Sequence, residues 1–157
     1  MPEFDTEPTT AYLRERALRL LARREHSRFE LTRKLGGAEF AREEIDKLLD
    51  AFEAKNWLSD QRFAESYVAD HQAKAGSIKL AYELRQRGVP DSIVESVLSS
   101  NRDSELERAR DVWRKKFGTP PTTPSDKAKQ MRFMQGRGFG GEIIRRAIAD
   151  NDRKDTD

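Results

Sequence analysis

The feature that most constrains the fold of this chain is an internal repeat with a period of about 50 residues. In 84–93 a leucine is followed by an Arg-Gly pair and then by an isoleucine nine residues after the leucine, and 134–143 repeats this arrangement with methionine in first place. The segment 35–45 matches with one extra residue. Such periods are typical of stacked repeat proteins, although chance similarity between glycine-terminated helices is the alternative. The repeat predicts three copies of one supersecondary unit.

Apolar residues recur at helical spacing in every copy, and the alternation typical of strands is nearly absent. The predicted fold is therefore all-α, a tandem array of three three-helix repeats with about nine helices, extended or curved in shape. Each unit is predicted as a long helix, a short helix, a tight turn and a second short helix. The predicted repeats are 11–57, 58–101 and 102–150, with a disordered N-terminal segment at 1–10 and a frayed tail at 151–157.

Residues that cap helix ends mark several of the predicted boundaries. Ser27 and Ser104 are each followed three residues later by a glutamate, which is the pattern of a capping box at a helix start. Thr123 precedes a proline and stands three residues before an aspartate, so it predicts another start. Gly76 predicts the end of the fourth helix, and Gly88 predicts the left-handed residue that closes the fifth.

Composition excludes several classes of protein. The chain has no cysteine, which excludes disulfides and thiolate metal sites. No apolar run approaches the roughly 20 residues that a membrane-spanning helix needs. The first ten residues contain acids and lack the apolar core of a secretion signal. We therefore expect a cytoplasmic protein that does not contact membranes.

Catalytic chemistry is not expected from this sequence. His26 and His71 are its only histidines, and neither has a carboxylate or second histidine at ligand spacing. The glycine-rich segment 137–141 lacks the Gly-Lys-Ser/Thr ending and the preceding strand of a phosphate-binding loop, so we interpret it as a helix stop and a turn. These observations predict a non-enzymatic protein with no cofactor, no metal and no small-molecule substrate.

Basic residues are the remaining candidates for function. The net charge is only +2, yet 102–157 holds 14 basic and 10 acidic residues. For the first helix a solvated helix face is an equally good interpretation, whereas the sparse acids of the C-terminal set favour binding there. The predicted partner- or DNA-binding residues are Arg14, Arg16, Arg19, Arg23, Arg24, Arg114, Lys115, Lys116, Lys127, Lys129, Arg132, Arg137, Arg145 and Arg146.

Three-helix units of this size are similar in outline to helix-turn-helix DNA readers. A sequence reader needs Arg, Asn and Gln at the exposed positions of its recognition helix. The third helices of the first two units instead carry acids such as Glu43, Glu44, Asp91 and Glu95. Base-specific readout is therefore disfavoured, while contact with phosphates or with a protein stays open.

Taken in order, four segments resemble the RecX regulatory family of bacteria, whose members control the RecA recombinase. The most specific are 58–68 (LSDQRFAESYV) and 83–89 (ELRQRGV), and parts of 22–35 and the Arg-Gly-Phe at 137–139 fit as well. The resemblance covers about 11–148. Ala69, Asp70 and His71 depart from it, because the family often carries arginines after the Tyr-Val pair. Gly136 stands where a polar helix former is usual.

The resemblance implies tandem three-helix repeats and a cytoplasmic protein of the DNA-damage (SOS) response and recombinational repair. It implies that the partner is the RecA filament on single-stranded DNA, that binding inhibits ATP hydrolysis and strand exchange, and that the filament then disassembles more readily. Contact with single-stranded DNA, and with double-stranded DNA as a further partner, is implied too. Two alternatives stay open, namely a stand-alone DNA-binding protein without sequence specificity and a helical scaffold for another protein.

Overall fold

The computed structural model describes residues 10–37 and 40–154, with side chains up to residue 149. Within these ranges the chain forms nine helices and no strand, which confirms the predicted all-α class. Residues 1–9 of the predicted disordered segment and the last three residues of the predicted tail lie outside the described residues. The helices are α1 (Thr10–Arg23), α2 (Arg28–Leu35), α3 (Arg42–Ala54), α4 (Asp60–His71), α5 (Ser77–Gln86), α6 (Asp91–Ser99), α7 (Arg102–Lys116), α8 (Pro124–Gly136) and α9 (Gly141–Lys154).

The helices form three consecutive units, each with its own apolar core. Unit one (α1–α3) is centred on Leu13, Leu31 and Leu49, and unit two (α4–α6) has a core that includes Leu80. The core of unit three (α7–α9) includes Trp113, which is 2% exposed. Because each core is thin and local, the array extends by repeating a unit, as the sequence period predicted.

Two of the predicted helix starts are present in detail. The hydroxyl of Ser27 accepts the Glu30 backbone N–H at 3.0 Å, and the Glu30 carboxylate accepts the Ser27 N–H at 3.0 Å, which completes a capping box. Thr123 accepts the N–H of Asp126 at 3.0 Å and begins α8 in the same way. Both caps satisfy N–H groups that have no partner inside the helix.

Three local predictions are wrong. Ser104 does not begin α7, which starts two residues earlier, and its hydroxyl donates to the Asn101 carbonyl instead. Gly76 does not end α4, which stops at His71; it is the residue before α5. Several helices predicted to be short are not, since α3 and α8 have 13 residues each and α9 has 14. For Gly76 the physical reason is packing between units, because its N–H donates to the Arg137 carbonyl of unit three.

Units one and two meet at a joint formed by the start of α2 and the turn between α5 and α6. Ser27 Oγ donates to the Arg87 carbonyl at 2.6 Å, and the Arg28 N–H donates to Asp60 Oδ1 at 2.8 Å. Gly88 has a φ of 77°, and a Cβ there would lie 2.2 Å from the Cβ of Phe29. The Ser27 hydroxyl thus satisfies a carbonyl at the end of α5, and the Asp60 carboxylate satisfies an N–H at the start of α2 that has no partner inside its helix.

Units two and three meet at a second joint of related construction, in which backbone N–H groups take the place of the Ser27 hydroxyl. The N–H groups of Gly76 and Ile78 donate to the Arg137 and Gly138 carbonyls at 2.8 and 3.1 Å. The Ser77 N–H donates to Glu105 Oε1 at 2.9 Å, as Arg28 does to Asp60 in the first joint. A carboxylate at a helix N-terminus is also favoured by the helix dipole. Repetition of this joint fixes how successive units follow one another.

Candidate interaction surface

The predicted binding residues are exposed, except that Arg137 is half-buried. Three of them form ion pairs on the surface. Arg19 pairs with Glu15 at 2.9 Å, Arg24 with Glu30 at 3.0 Å, and Arg114 with an aspartate three residues before it at 3.2 Å. Exposed pairs of this kind add little stability, but they neutralise charge that a partner would otherwise meet. These three residues are therefore weaker candidates than the sequence indicated.

Three further residues of the set lie over aromatic rings. The Arg14 guanidinium lies 5.7 Å from the centre of the Trp57 ring system, and the Lys55 ammonium lies 4.6 Å from the same centre. In unit three, Lys116 and Arg137 both lie 5.2 Å from the Phe133 ring centre. A ring face attracts a cation without neutralising it, so these groups keep their charge and are held in position. The Phe133 ring thus brings the end of α7 and the α8–α9 turn together.

The remaining eight residues make no ion pair with another residue in the described ranges. Two lie on α1, seven residues apart and hence on the same face, and six belong to unit three. Unpaired exposed cations are the groups that gain most from a phosphate or carboxylate of a partner, because no existing contact has to be broken. The eight residues are Arg16, Arg23, Lys115, Lys127, Lys129, Arg132, Arg145 and Arg146.

Sequence reasoning missed three cations that the structure holds on aromatic rings. Lys55 lies over Trp57, Arg33 lies 5.8 Å from the Phe29 ring centre, and Arg87 lies 4.5 Å from that of Tyr67. Arg33 follows Phe29 by one helical turn, and this spacing could have indicated the contact. The sequence gives no such indication for Arg87, since Tyr67 is on another helix.

A cleft of about 270 Å³ lies where units one and two meet, lined by residues of both charges that include Arg24, Glu25 and Glu30. On one wall, the Tyr67 ring stacks on His71 with 4.0 Å between ring centres, and its hydroxyl hydrogen-bonds to Glu83. Burial, followed by that hydrogen bond, raises the pKa of Tyr67 to about 12. A phenol that stays protonated and hydrogen-bonded at neutral pH is a structural group of the cleft, and nothing in its contacts makes it a nucleophile.

His26 is buried beside the capping box of α2, with 1% of its surface exposed. Its Nδ1 lies 3.0 Å from the Arg24 carbonyl, and its Nε2 lies 2.8 Å from Lys34 Nζ. Because an ammonium group only donates, Nε2 must accept, so the ring is neutral and Nδ1 carries the proton. Burial is the main cause that lowers the pKa of His26. The described residues contain no group of three or more side chains that could hold a metal ion.

No helix among residues 10–37 and 40–154 is long and apolar enough to cross a bilayer.

Comparison with known proteins agrees with the three-unit architecture. Family models described as the first, second and third three-helix domains of RecX match residues 14–51, 59–98 and 103–148. A protein of Chromobacterium violaceum named "Regulatory protein RecX" is 43% identical over 137 residues, which are 87% of this chain and 89% of that protein. A protein of Ralstonia pickettii with the same name is 42% identical, with 89% and 88% covered.

Solved structures show the same fold at lower identity. The crystal structure of RecX from Lactobacillus salivarius superposes with a TM-score of 0.81 at 20% identity, covering 91% of this chain and 96% of that one. A second crystal structure of a regulatory protein RecX gives 0.76 at 19% identity, covering 90% of this chain and 73% of that chain.

Proposed function

The chain belongs to the RecX family of regulatory proteins, and on this premise we propose that it binds the RecA recombinase filament on single-stranded DNA and inhibits its ATP hydrolysis and strand exchange. The observation that carries the proposal is the array itself, in which hydrogen bonds join the three units and the third carries six exposed cations that make no ion pair with the described residues. Such a surface suits a large, negatively charged nucleoprotein partner.

Inhibition then follows from occupancy and needs no catalytic group. Many moderate contacts spread along an array bind a repeating partner with an avidity that no single contact provides. An array that spans neighbouring recombinase subunits resists the relative movements that accompany nucleotide turnover. Modulation of DNA repair and recombination in the cytoplasm is the corresponding cellular role.

The test is a recombinase ATPase assay on single-stranded DNA, titrated with matched charge-reversal variants. The first variant carries Lys115→Glu and Arg146→Glu in unit three. The second carries Lys47→Glu and Lys74→Glu, which change the net charge equally but lie outside that unit. We expect the first to need about tenfold more protein for half-inhibition, which corresponds to about 1.4 kcal/mol of binding energy. Equal inhibition by the wild type and the unit-three variant would remove these cations from the proposal.

A second candidate function is a stand-alone DNA-binding protein without sequence specificity, which the same unpaired cations favour. The two functions differ in their response to salt. Binding to naked DNA through phosphates weakens steeply as salt rises, because counterions are released on binding. A steep slope on naked DNA, with no gain in affinity when recombinase is added, would favour the second function.

A further inference from the structure

Unit three contains a cleft that the helical array does not require. It lies between α8 and α9 under the proline-containing loop that precedes α8, and its volume is about 310 Å³. Pro121, Met131 and Ile148 provide an apolar floor, while Lys127 and Arg145 line its rim. A volume near 300 Å³ is at the lower end of ligand pockets and gives room for one large side chain.

The floor of this cleft is fixed in place by the core beneath it. Ile148 is 4% exposed and belongs to the core of unit three, and Met131 packs against the same core. Core side chains of this kind are held by close packing on several sides, so the cleft exists before any partner arrives. A preformed apolar floor lowers the entropy that binding costs.

The rim carries positive charge that nothing in the described ranges neutralises. Lys127 and Arg145 are exposed and make no ion pair there, and none of the described residues that line the cleft is acidic. The neighbouring acids in sequence are Asp126 and Glu142. The carboxylate of Asp126 accepts the Thr122 N–H at 3.4 Å, and Glu142 makes no ion pair with Arg145. The cleft therefore combines an apolar surface with two available cations.

We propose that this cleft binds a short acidic peptide segment of a partner protein, with one bulky apolar side chain on the floor and flanking carboxylates on Lys127 and Arg145. Carboxylates form charge-assisted hydrogen bonds with both rim residues, and Arg145 can bind one through two parallel bonds. Nucleic acid fits less well, because phosphates would engage the rim and leave the apolar floor uncovered. The proposal goes beyond the recombinase function and does not depend on it, because the occupant is defined by the charge and apolar side chain of the peptide alone.

The experiment measures fluorescence anisotropy of a labelled peptide of about ten residues that carries one phenylalanine among aspartates and glutamates. We expect Lys127→Glu with Arg145→Glu to weaken binding by about tenfold or more. Lys129→Glu with Arg146→Glu is the matched control, because it makes the same charge change on the same two helices outside the cleft lining. The control is expected to weaken binding by less than about threefold. A peptide with serine in place of phenylalanine should bind about tenfold more weakly than the original.

Methyl NMR of the wild-type protein tests the site without relying on variants that could misfold. Addition of the peptide should shift the methyl signals of Met131 and Ile148 most strongly. Four outcomes would overturn the proposal: no binding at about 1 mM peptide, equal weakening by both double variants, equal affinity for the serine peptide, or methyl shifts concentrated elsewhere. Equal competition by an oligonucleotide of the same charge would also overturn it, in favour of a general polyanion surface.

Discussion

Replacement of Gly138 by alanine tests the joint between units two and three. Gly138 has a φ of 92°, which L-residues rarely adopt, and the left-handed region costs them about 1–2 kcal/mol. The new Cβ would lie 2.2 Å from the Cβ of Lys79 and 2.6 Å from its backbone nitrogen. Neither the Lys79 backbone nor its Cβ can rotate away, so the joint itself has to open.

The size of the effect follows from what the opening breaks. The hydrogen bonds from Gly76 and Ile78 to the α8–α9 turn would lengthen or be lost, at about 1 kcal/mol each. Together with the backbone strain, the expected loss of folding free energy is about 3–4 kcal/mol. Because each unit has its own core, we also expect unfolding to separate into two transitions once unit three is released.

The assay is urea unfolding followed by circular dichroism, with Gly136→Ala as the matched control. Gly136 is the last residue of α8, and a Cβ there meets nothing within 4 Å. Alanine at that position should stabilise the chain by about 0.5–1 kcal/mol, because it favours helix and restricts the unfolded chain. A Gly138→Ala variant within about 0.5 kcal/mol of the wild type would refute the argument that this glycine holds the joint.

Three further changes test interior contacts. In the wild type we expect the free energy of unfolding to fall below about pH 6.5, because burial lowers the pKa of His26 and the unfolded chain therefore takes up the proton first. His26→Asn should remove this loss. Unfolding measured against pH checks this, and an equal dependence of the unfolding free energy on pH in both proteins would contradict it. Ser27→Ala should lower the free energy of unfolding in urea by about 2–3 kcal/mol, because it removes the helix cap and the hydrogen bond to the Arg87 carbonyl. A loss under about 0.5 kcal/mol would contradict this role of Ser27. Gln130→Leu should cost about 2–4 kcal/mol, because the buried amide accepts the Trp113 indole N–H at 2.8 Å; an unchanged melting temperature would argue against it.

Much of the fold was predictable because local physics and packing agree over most of the chain. The capping box at Ser27, the cap at Thr123 and the left-handed Gly88 all lie where short-range patterns placed them. In these places the side chain that ends or begins the helix is close in sequence to the groups it satisfies. Periodicity then sufficed to count the helices and to find the repeat.

The joints were not predictable from local patterns, because their partners are far apart in sequence. Gly76 ends no helix; it lies against the Gly138 carbonyl, at a distance that leaves no room for a side chain. The Arg-Gly pairs were interpreted as turns. Their carbonyls accept hydrogen bonds from the start of a helix in the preceding unit, from the Ser27 hydroxyl in the first joint and from backbone N–H groups in the second. Recurrence of the pair in two units supported the interpretation as a turn and gave no indication of the residues that the turn contacts.

Prediction of the candidate surface was incomplete for a related reason. Exposure of basic residues follows from helical spacing, but whether each one is paired depends on neighbours that the spacing does not fix. Arg24 proved to be bound to Glu30, whereas Lys127 and Arg145, 18 residues apart in sequence, line one cleft. The sequence could identify unit three as basic, but it could not show which cations remain available.

The most direct test of the central claim is the affinity of this chain for the recombinase filament compared with naked DNA. Fluorescence anisotropy of the labelled chain, at physiological salt, would be measured against single-stranded DNA alone and against the same DNA coated with recombinase. The account predicts binding to the filament that is at least about tenfold tighter than binding to the bare strand. Equal affinity for the two, or binding to the bare strand only, would contradict it.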